Sequence, residues 1–235
     1  MTDSNDDSID NSNIKCYKII FIGDIGVGKT SIINRILDNP FEDLYEPSIG
    51  VDYFVRNIKF QEKYIKVQLW DTAGQEKYKA LIPSYVRHSS FSFIIYDISS
   101  KNSFDNIPNW INCIKSIENN TTIILCGNKI DLQNREVKKE EGEELAINEG
   151  IQFFEVSAKT GENIKNMFYD VVSQLPFFAK INMNNENIIN ELIQENEIKN
   201  AKKSIKPEEI KVKNIVVDGN INQASKKVKD KGCDC

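Results

Sequence analysis

The stretch Gly23-Asp24-Ile25-Gly26-Val27-Gly28-Lys29-Thr30 predicts the fold of this chain. It fits the pattern G-x-x-x-x-G-K-[ST] and lies between an apolar run, residues 17–22, and a helix-like run, residues 31–37. In a strand–loop–helix unit, backbone N–H groups of the loop and of the helix N-terminus converge on an anion. A plain glycine turn is the alternative, but both flanks favour a phosphate-binding loop, which we call the P-loop.

Segments typical of strands alternate with segments typical of helices along the chain. The strand-like runs are residues 17–22, 51–60, 64–71, 92–97, 122–127 and 152–156, and the helical runs are residues 31–37, 102–117, 137–149 and 164–175. The short link at residues 61–63 predicts an antiparallel hairpin, and Pro108 should break or kink the first turns of its helix. The pattern predicts an α/β fold of the P-loop NTPase type: a doubly wound, six-stranded, mostly parallel sheet with one antiparallel edge strand and about five helices.

The composition limits what the chain can be. With 235 residues and a formal net charge of −5, it suits one globular domain with tails and offers no broad surface for nucleic acid. We expect a disordered acidic N-terminus over residues 1–13, a globular domain over residues 14–178 and a flexible tail over residues 179–235, in which the isoleucines and leucine of residues 188–193 could face one side of a short, marginal helix. The first residues do not resemble a signal peptide, and no apolar run reaches the ~18–20 residues of a membrane span. We therefore expect a protein that stays on the cytosolic side.

The cysteines give no sign of a disulfide scaffold or a zinc site. Their number is odd, and no Cys-x-x-Cys pair or Cys/His cluster is present in the sequence. Cys16, Cys113 and Cys126 lie in apolar segments and are expected to be reduced thiols in the core. Cys233 and Cys235 lie on a polar tail instead, where they have no folding role.

A second motif, Asn128-Lys129-Ile130-Asp131, follows the predicted strand at residues 122–127. The carboxylate of Asp131 can accept two parallel hydrogen bonds, which guanine offers from N1–H and its 2-amino group and adenine does not. Asn128 can bond the base or brace neighbouring loops, and the stem of Lys129 can lie over the ring. The small residues at 157–159, after the last strand, let the backbone approach the base. A solvated loop is the alternative for so short a pattern, but its position after a buried strand favours guanine recognition.

Oxygen-bearing side chains predict a magnesium site beside the P-loop. Mg²⁺ prefers oxygen ligands and shares them with phosphates. Thr30 can supply a hydroxyl, Asp71 can act through water, and Ser48 can complete the ligand shell when its long loop folds in. Gly74 lets its backbone N–H reach the terminal phosphate, and Gln75 can orient water for in-line attack.

Five motifs, in this order and at this spacing, resemble the Rab family of Ras-superfamily small GTPases. The resemblance covers about residues 14–178 and rests on residues 23–30, 48–53, 70–76, 128–131 and 157–159. The Ile-Gly-Val-Asp run at residues 49–52 and the ending Cys233-Asp234-Cys235 are similar to Rab rather than to Ras or Rho. The runs Leu-Ile-Pro-Ser-Tyr at residues 81–85 and Glu-Glu-Gly-Glu at residues 140–143 most resemble the Golgi subgroup, which acts in retrograde and intra-Golgi transport.

The resemblance implies an enzyme that hydrolyses GTP to GDP with Mg²⁺ as its cofactor. Switch I would lie around Ser48 and switch II from Gly74 to about Pro83, with Gln75 as the catalytic residue. Phe41 occupies the place of the aromatic residue that packs on guanine. The residues expected to contact GTP are Asp24, Ile25, Gly26, Val27, Gly28, Lys29, Thr30, Ser31, Phe41, Tyr45, Ser48, Gly74, Asn128, Lys129, Asp131, Ser157, Ala158 and Lys159. The expected metal ligands are Thr30, Ser48 and Asp71, and the expected effector-facing residues are Ile49, Tyr53, Trp70 and Tyr85.

The same resemblance implies a membrane anchor and a set of protein partners. A Cys-x-Cys ending is similar to Rab endings that carry geranylgeranyl groups, here on Cys233 and Cys235, and two lipid chains give stable attachment. The implied partners are effectors, an exchange factor, an activating protein, a GDP-dissociation inhibitor and a prenylation escort protein. The implied location is the cytoplasmic face of Golgi or related vesicle membranes, with a cytosolic pool.

Three residues depart from the family pattern. Ile25 stands where Rab proteins usually have a small or polar residue, and its β-branched side chain can crowd Gln75. Ser48 replaces a threonine, and Tyr53 replaces a common phenylalanine. Because of Ile25, a module that binds GTP and recruits effectors with negligible hydrolysis is the alternative function. A P-loop ATPase or small-molecule kinase is disfavoured by the motif at residues 128–131.

Overall fold

A six-stranded sheet forms the centre of the molecule. The computed structural model describes residues 15–42, 51–61, 63–72, 81–181 and 183–203. The strands are β1 (Lys15–Ile22), β2 (Val51–Phe60), β3 (Lys63–Thr72), β4 (Phe91–Asp97), β5 (Thr122–Asn128) and β6 (Gln152–Val156). Their order in the sheet is β2-β3-β1-β4-β5-β6, and β2 alone is antiparallel to its neighbour. The predicted doubly wound sheet with one antiparallel edge strand is therefore confirmed.

Helices cover both faces of the sheet. They are α1 (Lys29–Ile36), α2 (Ile82–Val86), α3 (Lys101–Asp105), α4 (Ile107–Ile117), α5 (Lys139–Glu149), α6 (Ile164–Ser173) and α7 (Asn185–Lys203), with a 3₁₀ turn at Phe178–Lys180. The helical run predicted at residues 102–117 is divided at Asn106, as Pro108 led us to expect. Pro108 lies in the first turn of α4, where its missing N–H would have no partner within the helix. The one-turn helix α2 was not predicted, because five residues are too few to show a helical period.

Two apolar clusters fill the space between the sheet and its helices. Because side chains alternate along a strand, Ile19 and Phe21 of β1 enter one cluster and Ile20 and Ile22 enter the other. The first cluster lies under α1, α6 and α7, and the second under α2, α4 and α5. The site motifs thus follow strands that are packed on both faces.

Cys126 lies in the core, as expected, but the prediction for Cys16 was wrong. Cys16 is exposed and Cys113 is half-buried. Cys16 belongs to the first two residues of β1, which extend past the apolar clusters and are exposed. Among the described residues, no helix combines the length and the apolarity needed to cross a membrane.

Helix α7 lies within the segment that the sequence analysis assigned to the tail. It packs against α6 and β2, and Ile188 and Leu192 are buried in the first apolar cluster. The side-chain amide of Asn196 bonds both backbone groups of Lys59 on β2: Nδ2 donates to its carbonyl at 3.0 Å, and Oδ1 accepts from its N–H at 3.3 Å. Ordered structure therefore continues beyond the predicted domain end at residue 178. Residues 1–14 and 204–235 lie outside the described part of the chain.

Candidate nucleotide-binding site

The predicted motifs lie at one edge of the sheet. The P-loop follows β1, Asp71 is the penultimate residue of the parallel strand β3, Asn128 ends β5, and Ser157 follows β6. Because these strands are parallel, their carboxyl ends meet at the same edge, where open α/β sheets bind ligands.

The P-loop needs glycine at two positions for reasons that the structure makes explicit. Gly23 has φ +145° and lies so close to the carbonyl of Ile95 that a Cβ atom would overlap it. Gly28 has φ +97°, and a Cβ atom there would overlap the side-chain amide of Asn128. Both glycines therefore let the loop pass close to neighbouring strands while its backbone turns toward the helix N-terminus.

Lys29 brings a buried positive charge into the P-loop. Its Nζ donates hydrogen bonds to the carbonyls of Gly23, at 3.0 Å, and Asp24, at 2.7 Å. Burial lowers the pKa of Lys29 to about 8, against the opposing effect of the carboxylates of Asp71 and Asp24. A bound phosphate would favour the ammonium form, so the loop suits an anionic ligand.

Thr30 and Asp71, two of the three predicted metal ligands, are in contact. The hydroxyl of Thr30 donates to Oδ2 of Asp71 at 2.6 Å, and Asp71 is only 1% exposed. A hydroxyl and a carboxylate beside a phosphate-binding loop are oxygen donors of the kind that Mg²⁺ prefers, so the donor set fits this ion. Ser48, the third predicted ligand, lies outside the described residues.

Asn128 joins the P-loop to the predicted base-binding loop. Its Nδ2 donates to the carbonyl of Val27 at 2.9 Å, and its Oδ1 accepts from the N–H of Ala158 at 3.0 Å. The side chain is buried, and both ends of its amide are used in these contacts. Of the two roles left open by the sequence, the structure therefore supports bracing of neighbouring loops.

Asp131 and Lys129 are each held by a neighbouring side chain. Ser157 donates its hydroxyl to Oδ1 of Asp131 at 2.6 Å, which fixes the carboxylate expected to select guanine. Lys129 has φ +72°, and its Nζ lies 2.6 Å from Oδ2 of Asp97 at the end of β4. These contacts orient the motif along the edge formed by β4, β5 and β6.

Arg35 is a site residue that the sequence analysis did not identify. From α1, its Nε donates to the carbonyl of Ala158 at 2.8 Å, and its Nη2 donates to the carbonyl of Lys159. Its side chain thus holds the backbone of the predicted base-binding loop. No local pattern could have indicated this, because its partners are backbone atoms 123 and 124 positions away.

The aromatic residues predicted to face effectors lie together. The ring centroids of Tyr53 and Trp70 are 5.5 Å apart, and those of Trp70 and Tyr85 are 6.3 Å apart. Nζ of Lys18 lies 4.0 Å from the centroid of the Trp70 ring. The three rings thus form a continuous row across β2, β3 and α2, which we call the aromatic face; Tyr53 and Trp70 are half-buried and Tyr85 is buried.

Some predicted site residues lie away from these contacts or outside the described chain. Phe41 is half-buried against the first apolar cluster, and Ile25 is 51% exposed at the P-loop. Ser31 is half-buried on α1. Predictions also fall on residues outside the described part: Tyr45, Ser48, Ile49, Gly74, Gln75, Cys233 and Cys235.

Comparison with protein-family models supports the geometric interpretation. Residues 18–177 match the model of the Ras family. The matched range is about two thirds of the chain and extends from β1 past the end of α6, so it contains every described contact of the site.

Proposed function

Because this chain belongs to the Ras family of small GTPases, we propose that it is a Rab-type switch that regulates vesicle transport, at the Golgi. The observation that best supports the Rab assignment is the aromatic face of Tyr53, Trp70 and Tyr85. Tyr53 of this face follows directly in sequence on the Ile-Gly-Val-Asp run at residues 49–52. Clustered aromatic rings are suited to binding partner proteins.

The described residues account for how GTP would be held. The P-loop backbone and Lys29 bind the phosphates, while Asp131 and the loop at residues 157–159 bind guanine. Asn128 keeps these two parts at a fixed distance, because its amide bonds both loops. Mg²⁺, when bound by Thr30 and Asp71, would neutralise charge on the phosphates.

Switching and hydrolysis are assigned to residues in the two switch segments. In this proposal Ser48 and Gly74 contact the site only while the terminal phosphate is present, so hydrolysis releases both segments. Gln75 orients the attacking water, and no strong base is needed because phosphoryl transfer depends mainly on positioning and charge stabilisation. Tyr85 of the aromatic face comes two positions after the end of switch II in sequence, so this face would respond to the change.

Anchoring is assigned to the two cysteines near the C-terminus. Geranylgeranyl groups on Cys233 and Cys235 would give stable attachment, and the preceding lysines would add attraction to anionic lipid. The Golgi assignment is supported by residues 81–85 and 140–143. The exchange factor, activating protein, GDP-dissociation inhibitor and escort protein of this proposal are those that such a lipidated switch requires.

Imaging of the tagged full-length protein in cells tests this proposal. The wild type should colocalise with a Golgi marker, and Cys233→Ser combined with Cys235→Ser should move it to the cytosol. Gln75→Leu should raise the membrane-bound fraction, because the GTP form persists. Cys16→Ser is the matched control, since Cys16 is exposed and far in sequence from the tail, and should stay on membranes. A double variant that remains on membranes would refute the lipid anchor, and a wild type on another organelle would refute the Golgi assignment.

The exposed side chain of Ile25 motivates a second candidate, a GTP-holding module with negligible hydrolysis. Ile25 is 51% exposed on the P-loop, where a β-branched side chain can interfere with Gln75. Single-turnover hydrolysis by the wild type and by Ile25→Gly, each with and without an activating protein, separates the two functions. Much faster GTP hydrolysis by Ile25→Gly supports the second candidate. An unchanged hydrolysis rate would leave the second candidate without support.

A further inference from the structure

The side chain of Asp24 faces away from the loop to which it belongs. Its Oδ2 accepts a hydrogen bond from Nδ2 of Asn106 at 2.7 Å, and its Oδ1 accepts one from Nε1 of Trp110 at 2.8 Å. Both donors lie at the start of α4, one helical turn apart. The backbone carbonyl of the same residue accepts a hydrogen bond from Lys29 at 2.7 Å. Asp24 therefore connects Lys29, which bonds its backbone carbonyl, to α4, whose first residues bond its carboxylate.

Asn106 uses its side chain for this contact instead of capping its own helix. It is the N-cap residue of α4, and asparagine is among the residues preferred there because its side chain can accept a bond from the first turn. Here no side-chain cap bond is formed, and the amide donates to Asp24. The break between α3 and α4 places Asn106 at this point.

Trp110 is a rigid second donor. It is buried in the second apolar cluster, together with Ile107 and Ile111 of the same helix. A hydrogen bond from a neutral donor to a carboxylate is stronger than one between neutral groups, and this donor is fixed by packing on all sides. The two bonds thus attach a loop residue to a part of the fold that cannot easily move.

We propose that Asp24 is a positioning residue for phosphate binding, held by Asn106 and Trp110. The attachment keeps the Gly23–Asp24 backbone in the conformation that presents its groups to a phosphate. Less conformational freedom is then lost when a nucleotide binds, which raises the affinity. The inference deepens the proposed function, because it rests on the binding of guanine nucleotides at the P-loop.

Two other accounts of Asp24 make different predictions. If its negative charge simply repels phosphate, Asp24→Asn should bind nucleotide more tightly. If the contact only stabilises the fold, its loss should weaken all nucleotides alike. Positioning of the P-loop instead predicts that affinity for GDP falls more than affinity for GMP, because GMP lacks the terminal phosphate.

The test measures the dissociation constants of radiolabelled GDP and GMP with the full-length protein and Mg²⁺. Asn106→Ala, Trp110→Phe and Asp24→Asn should each raise the dissociation constant of GDP by about tenfold, the loss expected for one hydrogen bond to a charged group. The constant for GMP should change much less. Asn109→Ala is the matched control, because Asn109 is exposed on the same helix, and it should change neither constant. Combining Asp24→Ala with Trp110→Phe should cost little more than Asp24→Ala alone, because Asp24→Ala already removes the acceptor of the Trp110 bond.

The outcomes distinguish failure of the positioning role of Asp24 from failure of nucleotide binding itself. Tighter binding of GDP by Asp24→Asn, equal losses for GDP and GMP, or no loss with Asn106→Ala would each overturn the positioning role. A wild type that binds neither GDP nor GTP would refute the proposed function itself, which is a different outcome. Asn106→Ala keeps the test decisive if Trp110→Phe fails to fold, because Asn106 is only half-buried.

Discussion

At the scale of single residues, Arg35 holds the loop at residues 157–159, which we expect to contact the base. Its guanidinium bonds the carbonyls of Ala158 and Lys159, so it holds the loop backbone from α1. Lysine keeps the charge but cannot reproduce the fork of two N–H donors. We therefore expect Arg35→Lys to speed the release of radiolabelled GDP by roughly tenfold, the effect of about 1.4 kcal/mol.

The variant Arg87→Lys serves as the control for Arg35, because Arg87 is exposed. It should release GDP at the wild-type rate. Because the Arg35 contact lies on the base side, Arg35→Lys should weaken GDP and GMP to a similar extent. If Arg35→Lys released GDP at the wild-type rate, the bonds from Arg35 to the loop would not matter for nucleotide binding.

Two buried tyrosines, Tyr96 and Tyr169, differ in whether the hydroxyl has a hydrogen-bond partner. Among the described residues, the hydroxyl of Tyr96 has no hydrogen-bond partner, although its side chain is fully buried. Burial also raises the pKa of Tyr96, so the hydroxyl stays neutral. An unsatisfied buried polar group costs free energy, so Tyr96→Phe should raise the free energy of unfolding by about 1 kcal/mol.

Tyr169→Phe is the comparison for Tyr96→Phe. The hydroxyl of Tyr169 accepts a hydrogen bond from Nη2 of Arg56 at 3.0 Å, so its removal should lower the free energy of unfolding by about 1–2 kcal/mol. Urea unfolding in the presence of a fixed excess of GDP measures both variants. If Tyr96→Phe lost as much stability as Tyr169→Phe, the hydroxyl of Tyr96 could not be an unsatisfied group.

At the scale of secondary structure, α7 closes part of the open edge of the sheet. Asn196 bonds the N–H and the carbonyl of Lys59 much as a neighbouring strand would, and it also donates to the carbonyl of Leu192 within its own helix. Asn196→Ala removes both of these hydrogen bonds to the backbone of Lys59. We expect a loss of about 1–3 kcal/mol in the free energy of unfolding.

Hydrogen exchange locates the effect of Asn196→Ala. The amide of Lys59 should exchange faster in the variant, because its acceptor is gone, while amides of the central strand β4 change in proportion to global stability. Asn190→Ala on the exposed side of α7 is the matched control and should leave Lys59 unchanged. Unaltered protection of Lys59 in Asn196→Ala would show that α7 does not cover this edge in solution.

At the scale of the whole molecule, the nucleotide joins parts of the chain that are distant in sequence. The P-loop, Asp71, Asn128 and the loop after β6 come from four strand ends. A ligand bound by all of them stabilises the fold as a unit, by about 4 kcal/mol at a thousandfold excess over its dissociation constant. We expect GDP, but not ADP at the same concentration, to raise the thermal unfolding temperature. Equal shifts with the two nucleotides would contradict selection of guanine through Asp131.

The sheet and the position of the site could be predicted because they depend on local patterns. Buried parallel strands are short runs of apolar residues, as in β4, and each site motif directly follows such a run. The partners of Arg35 and Asn196 could not be predicted, because both bond backbone atoms that lie 123 and 137 positions away. The sequence likewise assigned Asp24 to the loop without indicating that its side chain faces α4.

Helix α7 shows why polar segments are harder to interpret. Among the side chains of α7 that the structure describes, Ile188 and Leu192 are the buried apolar ones, and the next position on that side of the helix is a polar residue, Asn196. An amide at that position interrupts the apolar period, so the segment resembles a solvated tail. The role of Asn196 becomes clear only in the folded structure, where Lys59 of β2 lies beside its amide.

The contact between Trp110 and Asp24 also has a practical consequence for optical measurements. The chain contains two tryptophans, and each contacts a different functional region. Trp70 belongs to the aromatic face, whereas the indole of Trp110 is bonded to a carboxylate of the P-loop. Replacing Trp70 with phenylalanine would leave Trp110 as the one tryptophan, and its emission would follow the phosphate site without any attached dye. The unmodified protein thus carries its own pair of light-emitting probes, one for partner binding and one for nucleotide exchange.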